Sequence, residues 1–153
     1  MQTSPSERPR VTVAAVIERD GKYLLIEEES DGRVVLNQPA GHLDPGESLQ
    51  AAVARETLEE SAYCFEPTAL LGIYQYRDPR VGVSYVRFAF AGDVTGHDAT
   101  RRLDTGIVRA VWVTRDEAQR MSERHRSPLV MTCIDAHASG KRHSLDLLSF
   151  FSA

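Results

Sequence analysis

The chain is poor in the features that mark several large classes of protein. Only two cysteines occur in 153 residues, Cys64 and Cys133, and they form no Cys-x-x-Cys pair. That argues against a zinc ribbon or a thioredoxin-type motif and fits a reduced, cytoplasmic protein. No apolar run approaches the roughly 20 residues that a membrane helix needs, and Val11 to Ile17 is too short for a signal h-region with a cleavage site. Neither membrane spanning nor secretion is expected. Basic excess is missing as well: 18 Lys plus Arg stand against 22 Asp plus Glu, a net charge of -4, so a dedicated nucleic-acid binder is not expected. With no repeat, low-complexity tract or linker, the chain reads as a flexible polar leader over residues 1–10 and one domain over residues 11–153. A domain of this size buries roughly two-thirds of its unfolded surface and folds without disulfides or structural metal.

What is present is unevenly placed. Met1 to Tyr63 carry 12 acids and 6 bases, whereas Cys64 to Ala153 carry 10 acids and 12 bases. The run Glu27, Glu28, Glu29 leading to Asp31 reads as a solvated charged face. Short β-type runs at Val11–Ile17 and Lys22–Glu27 flank Asp20-Gly21, a strong hairpin signal. Arg33–Leu36 is a third such run before the irregular Asn37-Gln38-Pro39-Ala40-Gly41-His42. Ser48 is a plausible N-cap for a helix from Leu49 to about Ala62. Strands are expected at Ala69–Tyr76, Val83–Ala91 and Ala110–Val113, with a loop over residues 92–106. The capping box Thr114-Arg115-Asp116-Glu117 starts a helix to about Met121, and Ser127-Pro128 starts another that ends near Gly140. This order predicts an α/β protein of the α+β kind, with a mixed sheet and helices on its faces.

The first helix concentrates the chemistry. Glu56, Glu59 and Glu60 stand at i, i+3 and i+4 on one face and continue the apolar stripe of Leu49, Ala52 and Val53. Like charges at that spacing repel, and Arg55, four residues before Glu59, covers only part of the charge. Two readings fit: oxygen ligands converging on a hard divalent cation such as Mg²⁺ or Mn²⁺, or a surface helix whose glutamates pair with distant bases.

Gly41, Glu47 and Arg55-Glu56-Thr57-Leu58-Glu59-Glu60-Ser61-Ala62-Tyr63 together resemble the Nudix box, in which Gly, five residues, Glu, seven residues, Arg-Glu, an aliphatic, any residue and Glu-Glu are followed by any residue, Gly and an aliphatic. Every acidic and arginine position and the leading glycine match; Thr57, Ala62 and Tyr63 depart from the pattern. Asn37 to Leu43, Arg87-Phe88, Trp112-Val113 and Arg126 to Val130 extend the resemblance across most of the chain, to the bacterial phosphatase NudJ subfamily, with Leu36 where that subfamily leads one to expect an aromatic.

The resemblance implies a Nudix fold, an α/β/α sandwich around a mixed β-sheet, and a Mg²⁺-dependent hydrolase, with Mn²⁺ as a possible substitute. Implied substrates are nucleoside tri- and diphosphates, thiamine diphosphate and hydroxymethylpyrimidine diphosphate, with orthophosphate released. Other readings are a pyrophosphohydrolase of nucleotides or nucleotide sugars, and a non-catalytic nucleotide sensor. By the same resemblance Glu56 and Glu60 are direct metal ligands, Glu59 is a ligand or the base, Arg55 orients a carboxylate, and the Gly41 carbonyl is a backbone ligand. Glu47 holds the loop against the helix. Gln38, Arg87, Tyr76 and Asp104 are the substrate-side candidates; Arg87 could equally pair with an acid, and packing in the core or its rim is the simpler role for Tyr76. His42 is expected to bond within its loop and Trp112 to anchor the core. Ser127 has no Asp/His partners at a recognisable spacing, so capping suffices for it. The chain is expected to act as a monomer or homodimer on a small diphosphate.

Overall fold

A computed structural model describes residues 7–152. Most of the expected leader lies outside these residues, and Arg10, assigned to it, already begins a strand. The strands are β1 (Arg10–Val16), β2 (Glu18–Arg19), β3 (Lys22–Ser30), β4 (Arg33–Asn37), β5 (Ala40–His42), β6 (Tyr63–Asp78), β7 (Val83–His97) and β8 (Ile107–Thr114). The helices are α1 (Leu49–Ser61), α2 (Arg115–Arg120) and α3 (Leu129–Ala138). Asp20 and Gly21 turn the first hairpin at φ of 53° and 79°, and Asp31 and Gly32 turn a second at 50° and 76°, the positive pair that a two-residue hairpin loop requires.

One four-stranded sheet has the order β5-β1-β7-β6, with β1 and β7 parallel and the other pairs antiparallel. In the second, antiparallel sheet, β3 pairs with β8 along one edge and with β2 and β4 along the other. Alternate side chains of the central strands enter two cores. Val13, Ala15, Ile17, Leu24 and Phe90 pack with Ala52 and Val53 of α1. Val16, Tyr23, Leu25, Leu71 and Ala89 pack with Ala118 of α2 and with Val130, Cys133 and Ile134 of α3. Burial on both faces explains the nearly continuous apolar runs of β1 and β3. Helices flank a mixed sheet, as the sequence predicts.

Three differences from the sequence reading have physical causes. The supposed loop over residues 92–106 is strand as far as His97, because Tyr63–Pro67 pairs with Gly92–His97 as a half-exposed ribbon, and an exposed ribbon carries little apolar signal. Trp112 is not a core anchor: it packs on the edge of the first core, donates to the Tyr63 hydroxyl at 3.0 Å, and has the Arg19 guanidinium 4.3 Å above its ring. The run Glu27–Glu29 is a solvated face only at Glu29, which is exposed. Glu27 is only 8% exposed and is held by Arg109 and Arg124, while Glu28 is held by Arg126.

Ser48 caps α1 by accepting from the Ala51 N–H at 3.1 Å. The other end closes on Ala62, whose φ of 63° places it in the left-handed region and whose N–H reaches the Leu58 carbonyl. An L-residue there costs roughly 1–2 kcal/mol, whereas losing the buried methyl costs only about 0.8 kcal/mol. Ala62→Gly is therefore expected to leave urea stability unchanged or raise it by up to about 1 kcal/mol, and Ala62→Val to lower it by more than about 1 kcal/mol.

Candidate active site

The acidic half of α1 is organised by one guanidinium. Arg55 binds Glu47 through two bonds, at 2.6 and 3.0 Å, and reaches Glu56 at 2.9 Å and Glu59 at 3.2 Å. It also contacts the Asp44 carboxylate at 3.3 Å and donates to the His42 carbonyl at 3.0 Å. The His42 backbone, not its ring, is thus the loop bonder. Charge-assisted bonding to Arg55 holds the Glu47 carboxyl below the usual range and raises Arg55 in turn. These bonds pin the loop from His42 to Glu47 onto α1.

With the loop in place, β5 lies against the helix so closely that a Cβ on Gly41 would stand 2.1 Å from the Glu56 carboxyl carbon. Only glycine fits. Beside it the Ala40 N–H donates to Glu60 Oε1 at 2.7 Å. Glu60 is 7% exposed, and burial, reinforced by the negative charges of Glu28, Glu56 and Asp104, pushes its carboxyl up to about 9. Burial raises Glu56 too, against the opposing pull of Arg55. Buried carboxylates that repel one another, hard oxygen donors and a bare backbone against the Glu56 carboxylate fit a divalent cation. Among the described residues no three acidic, imidazole or thiolate groups already converge on one cation position; Glu56 and Glu59 turn to Arg55 instead.

Glu56 and Glu60 border a cavity of about 490 Å³. Glu28 lies on the same wall, and Arg10, Arg87 and Arg126 supply positive charge around it. Arg87 is 6% exposed and has no carboxylate partner among the described residues. Its guanidinium donates to Gln38 Oε1 and Asn37 Oδ1, both at 3.0 Å. Gln38, expected to touch substrate, is instead 1% exposed and spends its amide nitrogen on the Val130 carbonyl at 2.9 Å. It orients Arg87 from behind. Arg87 itself does not form the acid pair offered as one reading of the sequence.

Tyr76 lines the cavity and belongs to neither core. Asp104 lies off its wall; its N–H donates to the Glu59 carbonyl at 3.0 Å, closing the loop after β7 on the end of α1. Glu47 and Glu59 also lie off the wall, on the Arg55 side. Sequence reasoning missed Glu28, Asn37, Tyr85 and Arg126 as cavity residues. Period-two spacing from Arg87 points to Tyr85, whereas Glu28 was hidden in an acidic run.

Residues 7–131 match the NUDIX domain. The chain belongs to the Nudix family. A NUDIX hydrolase from Nitrosomonas europaea has a solved structure 52% identical to this Nudix chain, at a TM-score of 0.92, covering 94% of this chain and 98% of that one. Phosphatase NudJ of Shigella boydii is 36% identical over 145 residues, 95% of this chain and 94% of that protein, and Phosphatase NudJ of Escherichia coli K12 matches to the same extent, 36% over 145 residues. The protein is accordingly a Nudix hydrolase, NudJ-like in sequence, of the class that acts on phosphoanhydride bonds, and Nudix hydrolases generally use a divalent metal. Among the described residues no helix is long and apolar enough to cross a membrane.

The raised Glu60 gives a signed expectation for the metal-free protein. The folded carboxyl keeps its proton at neutral pH while the unfolded one, near 4.5, has lost it. The folded state therefore binds more protons, and stability falls as pH rises from about 4.5 to about 9. In thermal melts with chelator, Glu60→Gln should raise Tm by a few degrees at pH 8 and converge with the parent near pH 4.5. A lower Tm at pH 8 would count against the buried, protonated Glu60.

Proposed function

We propose that the protein is a Mg²⁺-dependent phosphohydrolase of small diphosphates, NudJ-like in releasing orthophosphate from nucleoside tri- and diphosphates, thiamine diphosphate or hydroxymethylpyrimidine diphosphate. Mn²⁺ would serve as a substitute. The observation that carries this reading is the opposition, across one cavity, of the Glu56–Glu60 wall and the acid-free guanidinium of Arg87.

Glu56, Glu60 and the Gly41 carbonyl would hold the cation. When bound, Mg²⁺ supplies neutralisation of phosphate oxygens and a lowered pKa for the attacking water. Arg55 holds Glu56 and Glu59 in place. Glu59, more open to solvent than Glu60, stands as a further ligand or as the proton acceptor. Arg87, fixed from behind by Gln38 and Asn37, would take the phosphate oxygens farther from the acids, where an anion repays the burial of an unpaired cation. Glu47 acts structurally through Arg55, and Asp104 contributes negative field and fixes the end of α1. In this reading Tyr76 faces the organic part of the substrate.

Intact Glu56, Glu59 and Glu60 favour an enzyme over a nucleotide sensor. Assay of a panel of nucleotides, thiamine diphosphate and nucleotide sugars with Mg²⁺, detecting phosphate and diphosphate separately, tests the reading: diphosphate as the main product would instead favour a pyrophosphohydrolase. Glu60→Gln should reduce kcat at least about 100-fold, the scale of losing a group that acts in the transition state. Glu59→Gln should reduce kcat comparably; if Glu59 is the proton acceptor, the Mg²⁺ concentration for half-activity stays near the parent value, and if it is a ligand, that concentration rises as well. Near-normal rates in either variant would overturn these assignments.

A further inference from the structure

The mouth of the cavity carries two aromatic rings that the fold does not use. Tyr76 on β6 and Tyr85 on β7 are direct cross-strand partners, and Tyr85 is also the partner of Arg10 on β1. Arg10, Tyr85 and Tyr76 thus form one row across three strands, and all three border the cavity. The next row inward is Thr12, Arg87 and Tyr74. Side chains two residues apart on a strand share a face, so Tyr85 stands beside Arg87 on the cavity face.

The inner tyrosine has structural work and the outer two have none. Tyr74 packs against the core that includes α3, whereas Tyr76 and Tyr85 belong to neither core. Among the described residues neither ring stacks on another aromatic or carries a guanidinium over its face. Two half-exposed rings on adjacent strands, beside a buried cation, offer open π-faces at the end of the cavity away from Glu56 and Glu60, where Asp78, also on the wall, is paired with Arg80. Strand spacing of about 4.8 Å puts β7 and β6 roughly 10 and 14 Å from β5, which carries Gly41. That separation leaves room for phosphate groups between the acids and the rings.

We propose that Tyr76, Tyr85 and Arg10 are the residues that seat the planar ring of the substrate. The proposal rests on the diphosphate reading of the same cavity. The phosphates run from the acid wall to Arg87, and the ring leaves Arg87 to lie on the tyrosines. Stacking needs the aromatic face and not the hydroxyl, which separates this role from one in hydrogen bonding.

The test is calorimetric binding to the full chain with Mg²⁺, using α,β-methylene-ADP and bare methylenediphosphonate, neither of which is cleaved at the diphosphate. The parent should bind the nucleotide analogue at least about tenfold more tightly than the bare diphosphonate, the scale of base–aromatic stacking. A Tyr76→Leu, Tyr85→Leu double variant should lose most of that preference while binding methylenediphosphonate within about twofold of the parent. The corresponding double Phe variant should keep the preference. Retention of the preference in the Leu variant, or its loss in the Phe variant, would overturn the ring seat while leaving the diphosphate reading standing. Failure of the parent to bind either ligand would overturn both.

Discussion

The site depends on how many acids one arginine can hold. Arg55 touches four carboxylates and a backbone carbonyl, and each contact joins a different part of the chain: the loop through Asp44 and Glu47, the end of β5 at His42, and the helix at Glu56 and Glu59. A single pair this exposed, with 27% of the Arg55 side chain open to solvent, would contribute little. The network contributes because the loop, strand and helix must come together for any of the bonds to form. Once they do, the Gly41 backbone lies against Glu56 and the Ala40 N–H meets Glu60, so the charged cluster and the backbone around it are assembled in one step.

The same clamp leaves an imbalance. One positive charge among four negative ones cannot neutralise the helix, and Glu60 meets this by keeping a proton. One and two strands away from β5, at Arg10 and Arg87, the sign reverses. Arg87 is buried with amide oxygens where a carboxylate would normally stand, and amides orient a guanidinium without cancelling its charge. Replacing Asn37 or Gln38 by an acid would satisfy Arg87 and remove its attraction for an anion. A protein of net charge -4 can therefore present a local positive site to a phosphate, because short-range geometry and burial outweigh the long-range field of the whole chain.

Much of this was legible in the sequence, for reasons that differ by element. The α1 boundaries followed from the Ser48 cap and from the absence of Gly and Pro, and the box pointed to Glu47 as the residue between loop and helix. The left-handed Ala62 could be anticipated as an awkward helix end because a position that favours Gly carried a side chain. The short β5 was invisible, since Ala40-Gly41-His42 has no strand composition and exists because β1 offers it an edge. Asp31-Gly32 carried the same hairpin signal as Asp20-Gly21 and went unread beside the conspicuous glutamates. Those glutamates in turn reached arginines 82 to 98 residues away in the chain, a separation at which spacing along one element says nothing.

That contrast accounts for why the box conveys the reaction class and so little about the substrate. Residues of the box act within one helix turn or across one loop, so their spacing is fixed by local geometry, and a side chain at Gly41 would displace the Glu56 carboxylate. The walls that face the rest of a ligand come from β1, β3, β4, β6, β7 and the segment before α3, one or two side chains from each. On strands such residues are set by alternation and register, and any of them can change without disturbing its neighbours in the chain. A ligand contact assembled from six segments leaves no continuous motif. It becomes readable only when the register places Arg10, Tyr85 and Tyr76 in one row, and then the argument runs from the row to the ring it would hold.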